Sequence, residues 1–385
     1  MKRYAIFFPQ YYPITVNDLA WGYGFTDWTL VAAANAFSYW RRRAPACGFY
    51  NLSIKDHIRA RFEAAASAGM DGFGVYHYYF DDGNELGAVE QYLMHGDTSE
   101  SLNYFYIWAN ENWTTRWVGE NIRVLKSLSR CPDRSAVAKH VSYLIRLMDS
   151  THYTRVNQRP LFVFYHPDHF VEPHSILDLY REEFRRAGTD PLIGFFVKNF
   201  SEIRHSRYFD FLYLFEPRLF FNSHGLRRNT GAIRTFRRFA RSLSPRLGEA
   251  MADRVTRFLN RSSVNYRFSD FLRYCSSQAR QALIQSSHCP TQEIVTCGWN
   301  NAPRYRDRAT SLDVPNADEF SAMMNAACSH PHAGSLAPLM CNAWNEWCEG
   351  AALEPCSYLG DSLLKSYLDS SLEGKDEGSS RNRTG

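Results

Sequence analysis

Paired cysteines, long apolar runs and charge of one sign are all scarce in this chain of 385 residues. The nine cysteines, at 47, 131, 275, 289, 297, 328, 341, 348 and 356, are odd in number and include no CxxC pair, and no His-rich ligand spacing accompanies them. This argues against a structural zinc site or a disulfide framework and for reduced cytosolic thiols. No stretch approaches the roughly 20 apolar residues that span a bilayer. The start, Met1 to Gln10, mimics a signal peptide for a few residues, but its apolar run stops at Pro9 without a small-residue cleavage site. The expectation is a cytoplasmic protein. A formal charge of +4 is small for this length and gives nucleic acid little support as a partner. No glycine-rich loop follows the first strand, where Phe8-Pro9-Gln10-Tyr11-Tyr12-Pro13 stands instead, and this counts against an open dinucleotide-binding sheet. No Asp-x-Asp triplet is present to hold a metal-bound nucleotide pyrophosphate, and no motif calls for a metal or an organic cofactor.

What is present is globular and rich in rings. Apolar residues make up 45% and charged residues 22%, which excludes disorder as the default. Aromatics reach 15%, with 23 Tyr, 27 Phe and 9 Trp. Such a share is compatible with a carbohydrate-stacking surface, although rings mostly fill cores. Short runs rich in rings and β-branched residues occur at Tyr4–Phe8, Gly72–Tyr79, Tyr104–Trp108, Leu161–Tyr165, Leu192–Val197, Phe209–Phe215, Glu293–Cys297 and Pro338–Asn342. Helical patterns lie between most of them, at Ile54–Ala68 with Gly69 as C-cap, Ser135–Met148, Ser175–Ala187, Asp318–Ala327 and Asp361–Ser370. Eight strands alternating with helices predict an α/β fold, a (β/α)8 barrel over residues 1–372, with a doubly wound sheet as the alternative.

A barrel collects its functional residues at the C-terminal ends of the strands. Those positions hold Gln10, His77 with Tyr78, Asn110-Glu111-Asn112-Trp113, His166, Lys198-Asn199, Glu216, Trp299-Asn300-Asn301 and Asn345-Glu346. Singly, each is an ordinary loop or cap residue; together they outline a site. The densest grouping is Asn342-Ala343-Trp344-Asn345-Glu346-Trp347-Cys348-Glu349-Gly350. Three positions apart, Glu346 and Glu349 can reach one cleft, roughly 5–6 Å apart at Cβ. Glycosidic bond cleavage needs such a pair, one carboxyl protonated and the other ionised. Trp344 and Trp347 are expected to wall the site for a pyranose ring, and Glu354 to fix the loop or bind a hydroxyl.

Several of these segments resemble the WbsX-like family. They are Phe8-Pro9-Gln10-Tyr11, Gly24-Phe25-Thr26-Asp27-Trp28, Gly69-Met70-Asp71-Gly72-Phe73, Tyr76-His77-Tyr78-Tyr79-Phe80, Trp108-Ala109-Asn110-Glu111-Asn112-Trp113 and Ala343-Trp344-Asn345-Glu346-Trp347. The family is described as glycosyltransferases of polysaccharide biosynthesis and is similar in fold to the family 99 endo-mannosidases. Glu346, Glu349 and Gly350 fit the Glu-Trp-x-Glu-Gly arrangement of the latter. The resemblance implies Glu349 as general acid and base at the glycosidic oxygen. It implies Glu346 as the base that takes the proton of the sugar 2-hydroxyl, with retention through an anhydro-sugar. The substrate contacts expected from motifs and resemblance together are Gln10, Tyr11, Trp28, His77, Tyr78, Trp108, Asn110, Glu111, Trp113, Trp299, Asn300, Trp344, Asn345, Trp347 and Glu354. Departures from the family pattern fall at Asn300, where a carboxylate is usual, at Val118, and at Trp40 to Gly48. The identity of the sugar is therefore not inherited.

From 218 to 290 a basic helical elaboration is expected after the sixth strand, with Arg227, Arg228, Arg234, Arg237, Arg238, Arg241 and Arg280 among its cations. It reads first as a solvated helical face. The sharper alternative is an excursion resting on anionic lipid at the inner membrane or on a pyrophosphate-linked glycan. The tail from 373 to 385 reads as disordered. Three functions follow: a retaining two-carboxylate enzyme acting on an oligosaccharide or lipid-linked glycan of a bacterial surface polysaccharide, a sugar-nucleotide-dependent glycosyltransferase, or a non-catalytic glycan-binding barrel.

Overall fold

Runs of five or six β-branched and aromatic residues are too short to bury a helix face, and here each forms one stave of a closed barrel. The computed structural model describes residues 1–34, 44–95, 102–115, 123–223, 263–328 and 336–369. Its eight staves are β1 (Arg3–Phe7), β2 (Gly72–Phe80), β3 (Asn103–Trp108), β4 (Arg159–Phe164), β5 (Leu192–Val197), β6 (Phe211–Phe215), β7 (Thr291–Thr296) and β8 (Leu339–Asn342). Each pairs in parallel with the next in sequence. Closure comes from β8 pairing with β1, where Tyr4 lies opposite Met340 on one side and Gly72 on the other. All six residues of β5 are buried, as a strand covered on both faces requires. The fold is a (β/α)8 barrel.

The helices cover the barrel with one apolar stripe each. They are α1 (Lys55–Ser67), α2 (Ala88–Met94), α3 (Arg134–Met148), α4 (Pro173–Arg186), α5 (Phe268–Cys275), α6 (Gln278–Gln285), α7 (Ala317–Cys328) and α8 (Ser362–Asp369). On α3, Val137, Val141, Leu144 and Met148 follow helical spacing into the core, and the Asp133 carboxylate caps the first turn by accepting from the Ala136 N–H at 2.8 Å. Gly69 follows α1 at φ +96°, the left-handed position that ends a helix. Between β5 and β6 the crossover is a 3-10 helix, Phe200–Arg207, and Glu202 holds its start by accepting from the N–H groups of Lys198 and Asn199.

The surplus of rings is largely core. Tyr4 on β1, Tyr213 on β6 and Tyr367 on α8 are fully buried, and their hydroxyls reach Thr154, the Pro338 carbonyl and the Tyr4 carbonyl at 2.7–2.9 Å. Of the basic elaboration, residues 224–262 with Arg227, Arg228, Arg234, Arg237, Arg238 and Arg241 lie outside the described residues, as do Val118, Trp40 and the tail. Its described end holds α5 and α6, and there Arg280 is not a solvated cation. It is buried and ion-paired with Glu293 at 2.6 Å and Glu216 at 3.5 Å. No helix among the described residues is long and apolar enough to cross a membrane.

At Gly72 a Cβ would press into the Asn103 carbonyl and the Tyr4 ring, so β1, β2 and β3 approach as closely as they do because this residue has no side chain. We expect Gly72→Ala to destabilise the fold by about 2 kcal/mol or more in urea melts.

Candidate active site

Seven of the eight strand ends open into one cleft, with about 830 Å³ of empty space when its open mouth is included. Phe8 and Gln10 enter from β1, and Tyr76, Tyr78 and Phe80 from β2. After β3 come Glu111, Asn112 and Trp113, and after β4 comes Tyr165. Phe215 and Arg218 follow from β6, Trp299, Arg304 and Tyr305 from the β7 end, and Asn342 and Glu349 from β8. Alternation along β2 explains the tyrosines: residues 76, 78 and 80 face the cleft, while His77 and Tyr79 face the helices. Burial pushes the Tyr76 and Tyr78 hydroxyls well above their ordinary pKa, so they remain neutral donors.

The chemical centre is a charge cluster built on a tight loop. After β8 the chain makes a single 3-10 turn, Trp347–Glu349, and Gly350 at φ +62° lets it double back so that Glu346 and Ala351 exchange backbone hydrogen bonds of 3.0 and 3.1 Å. This presents both glutamates to Arg304, from the short helix Ala302–Tyr305 behind β7. Its guanidinium lies 2.9 Å from Glu349, 3.3 Å from Glu346 and 3.4 Å from Asp27. Glu346 is fully buried, whereas the Glu349 side chain keeps 12% exposure on the cleft side. Burial raises Glu346 well above the usual carboxylate range; Arg304 opposes this, and Glu349 and Asp27 add to it. Burial also opposes the charge of Arg304, but Glu346, Glu349 and Asp27 outweigh it and keep the guanidinium firmly protonated. Three carboxyls against one cation in a desolvated pocket retain a proton. That is the state from which acid and base work can start.

Of the expected contacts, Gln10, Tyr78, Glu111, Trp113 and Trp299 line this cleft beside Glu349, with Trp113 stacked on Tyr78 at 5.6 Å. Asn300 faces a neighbouring groove, and its side chain accepts from the Ala302 N–H to start the Arg304 helix. The others belong to the frame. Trp344 and Trp347 are corrections: both indoles are buried in the core, Trp344 against Phe73 and Trp347 donating to Glu354 at 3.0 Å. An indole beside a strand end is buried when the loop turns inward, as this one does. Glu354 accepts from Trp347 and Tyr50 and pairs with Arg61 at 3.0 Å, and burial pushes it up to about 7. Tyr11 donates to the Asn345 carbonyl at 2.5 Å and stacks on Trp28, whose N–H reaches the Tyr50 carbonyl. Asn345 staples β8 to β1 through both polar groups of Phe8, and Asn110 joins the β3 and β4 ends through both polar groups of His166.

His77 and Trp108 lie on the outer side of the wall. Glu90 accepts from His77 Nδ1–H at 2.6 Å, which leaves His77 Nε2 to accept from His140 Nε2–H at 2.8 Å, and His140 Nδ1 to accept from the Tyr180 hydroxyl at 2.8 Å. Burial, with His77 second, holds His140 well below the usual imidazole range. Trp108 packs edge-on against His140 and donates to the Tyr79 carbonyl. Of the remaining strand-end positions, His166, Lys198 and Glu216 are turned from the cleft, Lys198 donating to the Tyr165 carbonyl at 2.6 Å.

Arg304, Asp27, Arg218, Tyr76, Tyr165 and Tyr305 are site residues that sequence reasoning did not select. Arg304 was accessible to the question of which cation balances a buried glutamate pair, since it follows Trp299 by five residues. Asp27 and Arg218 reach the site only through loop geometry. Among the described residues no group of three or more His, Cys, Asp or Glu is placed to hold a metal ion.

The profile of a family described as "Glycosyltransferase WbsX" matches residues 3–367. Two strains of Xanthomonas campestris pv. campestris carry a similar protein, WxcX, 28% identical over 367 residues, which cover 94% of this chain and 48% of WxcX. The chain thus spans about half the length of these curated relatives. Among solved structures, the GH99 endo-alpha-mannosidase of Bacteroides thetaiotaomicron superposes with TM-score 0.55 at 12% identity, covering 95% of this chain and 96% of that one. A chain described as a glycoside hydrolase-like protein gives TM-score 0.55 at 13% identity, with 96% and 93% covered. At such identities the likeness is one of fold.

Replacing Arg304 by Gln leaves Asp27, Glu346 and Glu349 without their cation. The folded-state pKa of Glu346, already raised by burial, then rises further above its unfolded value, so stability is kept at low pH and lost as pH rises. We expect the deficit against the unsubstituted protein to be small near pH 5 and about 3 kcal/mol by pH 8 in denaturant melts.

Proposed function

This chain belongs to the WbsX glycosyltransferase family, a family of carbohydrate-active enzymes, and we propose that it breaks or transfers a glycosidic bond with retention, using Glu349 and Glu346. The observation that carries this reading is the single guanidinium bridging two carboxyls, one facing the cleft and one buried behind it.

Glu349 is placed on the cleft surface, and in the first step its carboxyl gives a proton to the glycosidic oxygen as the bond to C1 breaks. The neighbouring 2-hydroxyl supplies the nucleophile: its oxygen bonds to C1 while its proton passes to Glu346, giving a 1,2-anhydro-sugar. In the second step water or a sugar hydroxyl attacks C1, Glu349 takes that proton, and Glu346 returns its own to O2. Two inversions give retention. Glu346 holds Gln10 at 3.5 Å, the outer limit of a hydrogen bond, and Gln10 lines the cleft, so a substrate hydroxyl can displace this amide and reach the carboxylate. A hydroxyl donating to Glu346 favours its ionised form and moves the retained proton towards Glu349. Neutral donors on Tyr76 and Tyr78 and the ring of Trp113 suit hydroxyls and a pyranose face. By family membership we assign the substrate to bacterial surface polysaccharides or their lipid-linked precursors.

Product analysis on lipid-linked and free oligosaccharides, with and without sugar nucleotides, tests this reading. We expect turnover without nucleotide, lowered about 10²–10⁴-fold in Glu349→Gln. Product formed only with a sugar nucleotide, undiminished by that substitution, would replace the mechanism by direct transfer from an activated donor. Glycan binding without turnover would make the barrel a lectin.

A further inference from the structure

Arg218 is a guanidinium in the cleft that the mechanism above does not use. It leaves β6 just after Pro217, is only partly exposed, and lies over the Trp299 ring with its central carbon 5.6 Å from the ring centre. The other buried cations of this end of the barrel are engaged: Arg304 by three carboxylates, Lys198 by the Tyr165 carbonyl and Arg280 by Glu293. For Arg218, no hydrogen-bond acceptor or ion-pair partner is found among the described residues; its guanidinium borders the cleft beside the Trp299 ring. Burial opposes its charge, and Tyr165 and Glu349 nevertheless keep it protonated.

We propose that Arg218 determines specificity for an acidic glycan: the sugar unit lying against Trp299 carries an oxyanion, a uronate carboxylate or a phosphate, which the guanidinium receives. This rests on the carbohydrate reading of the cleft and names the class of substrate. A partly desolvated guanidinium with no carboxylate partner among the described residues gains most from an anion, because charge-assisted hydrogen bonds are about twice as strong as neutral ones and its planar fork matches both oxyanions. The same charge pattern sets register. Glu111 and Glu349 also line the cleft and Arg304 is taken up by three carboxyls, so an anionic group is drawn to Arg218 and repelled at the β3 and β8 ends, and a glycan carrying one is held with its neighbouring linkage towards Glu349.

The test uses the full chain carrying Glu349→Gln, which suppresses turnover, with neutral, uronate-bearing and phosphate-bearing bacterial oligosaccharides of equal length as calorimetric probes. We expect one acidic class to bind at least about tenfold more tightly than the neutral one, an advantage that falls with added salt. Arg218→Met should remove that advantage, weakening the acidic probe far more than the neutral one, and Arg218→Lys should restore part of it. Whichever acidic probe binds identifies the source of the anion. Equal binding of neutral and acidic probes, or equal weakening of both by Arg218→Met, would overturn the proposal and leave the glycosidic function standing. Failure of every oligosaccharide to bind would overturn that function as well.

Discussion

Three carboxyl groups sharing one buried guanidinium is the constraint on which this end of the barrel depends. Asp27, Glu346 and Glu349 come from the loops after β1 and β8, and among the described residues it is Arg304, from the loop after β7, that makes their joint burial tolerable. Taking charges out of water costs several kcal/mol per ion unless their partners are well placed. The loops must therefore be held firmly. The Asn345 staple, the Tyr11 hydroxyl between the Asn345 carbonyl and the Trp347 N–H, and Glu354 beneath the loop do this. The same loop residues thus carry both the chemistry and the fixation of the barrel mouth.

A second polar system locks the outer face. The chain Glu90, His77, His140 and Tyr180 ties β2 to α2, α3 and α4, with each imidazole nitrogen assigned a role. Because side chains alternate along β2, fixing His77 outward fixes Tyr76 and Tyr78 inward. The buried histidine pair thus serves the cleft without touching it.

The cleft has a polarity of its own. Acidic groups lie at the β3 and β8 ends and Arg218 at the β6 end, with neutral tyrosine hydroxyls between. Such an arrangement distinguishes the two ends of a glycan, which a ring-lined groove alone would not do.

The sequence by itself determined the barrel. Eight short runs alternating with helical segments, each covered on both faces, leave few other ways to satisfy the strand backbones, and Gly69 and Asp133 mark helix ends by local chemistry alone. It also brought Glu346 and Glu349 together, since two residues three positions apart on one tight loop must share a neighbourhood. Which side of a loop a residue faces was decided only by the tertiary structure. Trp344, Trp347, His77 and Trp108 carry the types expected of a sugar site yet complete the core, because an inward-turning loop or the outer face of a strand buries them. Asp27 and Arg218 carry no local signal, and Arg304 has only its place five residues after Trp299. They become site residues through the closure of β8 on β1, which draws loops some 300 residues apart in sequence around one pocket, and charge balance in that pocket is a property of the assembled barrel rather than of any segment.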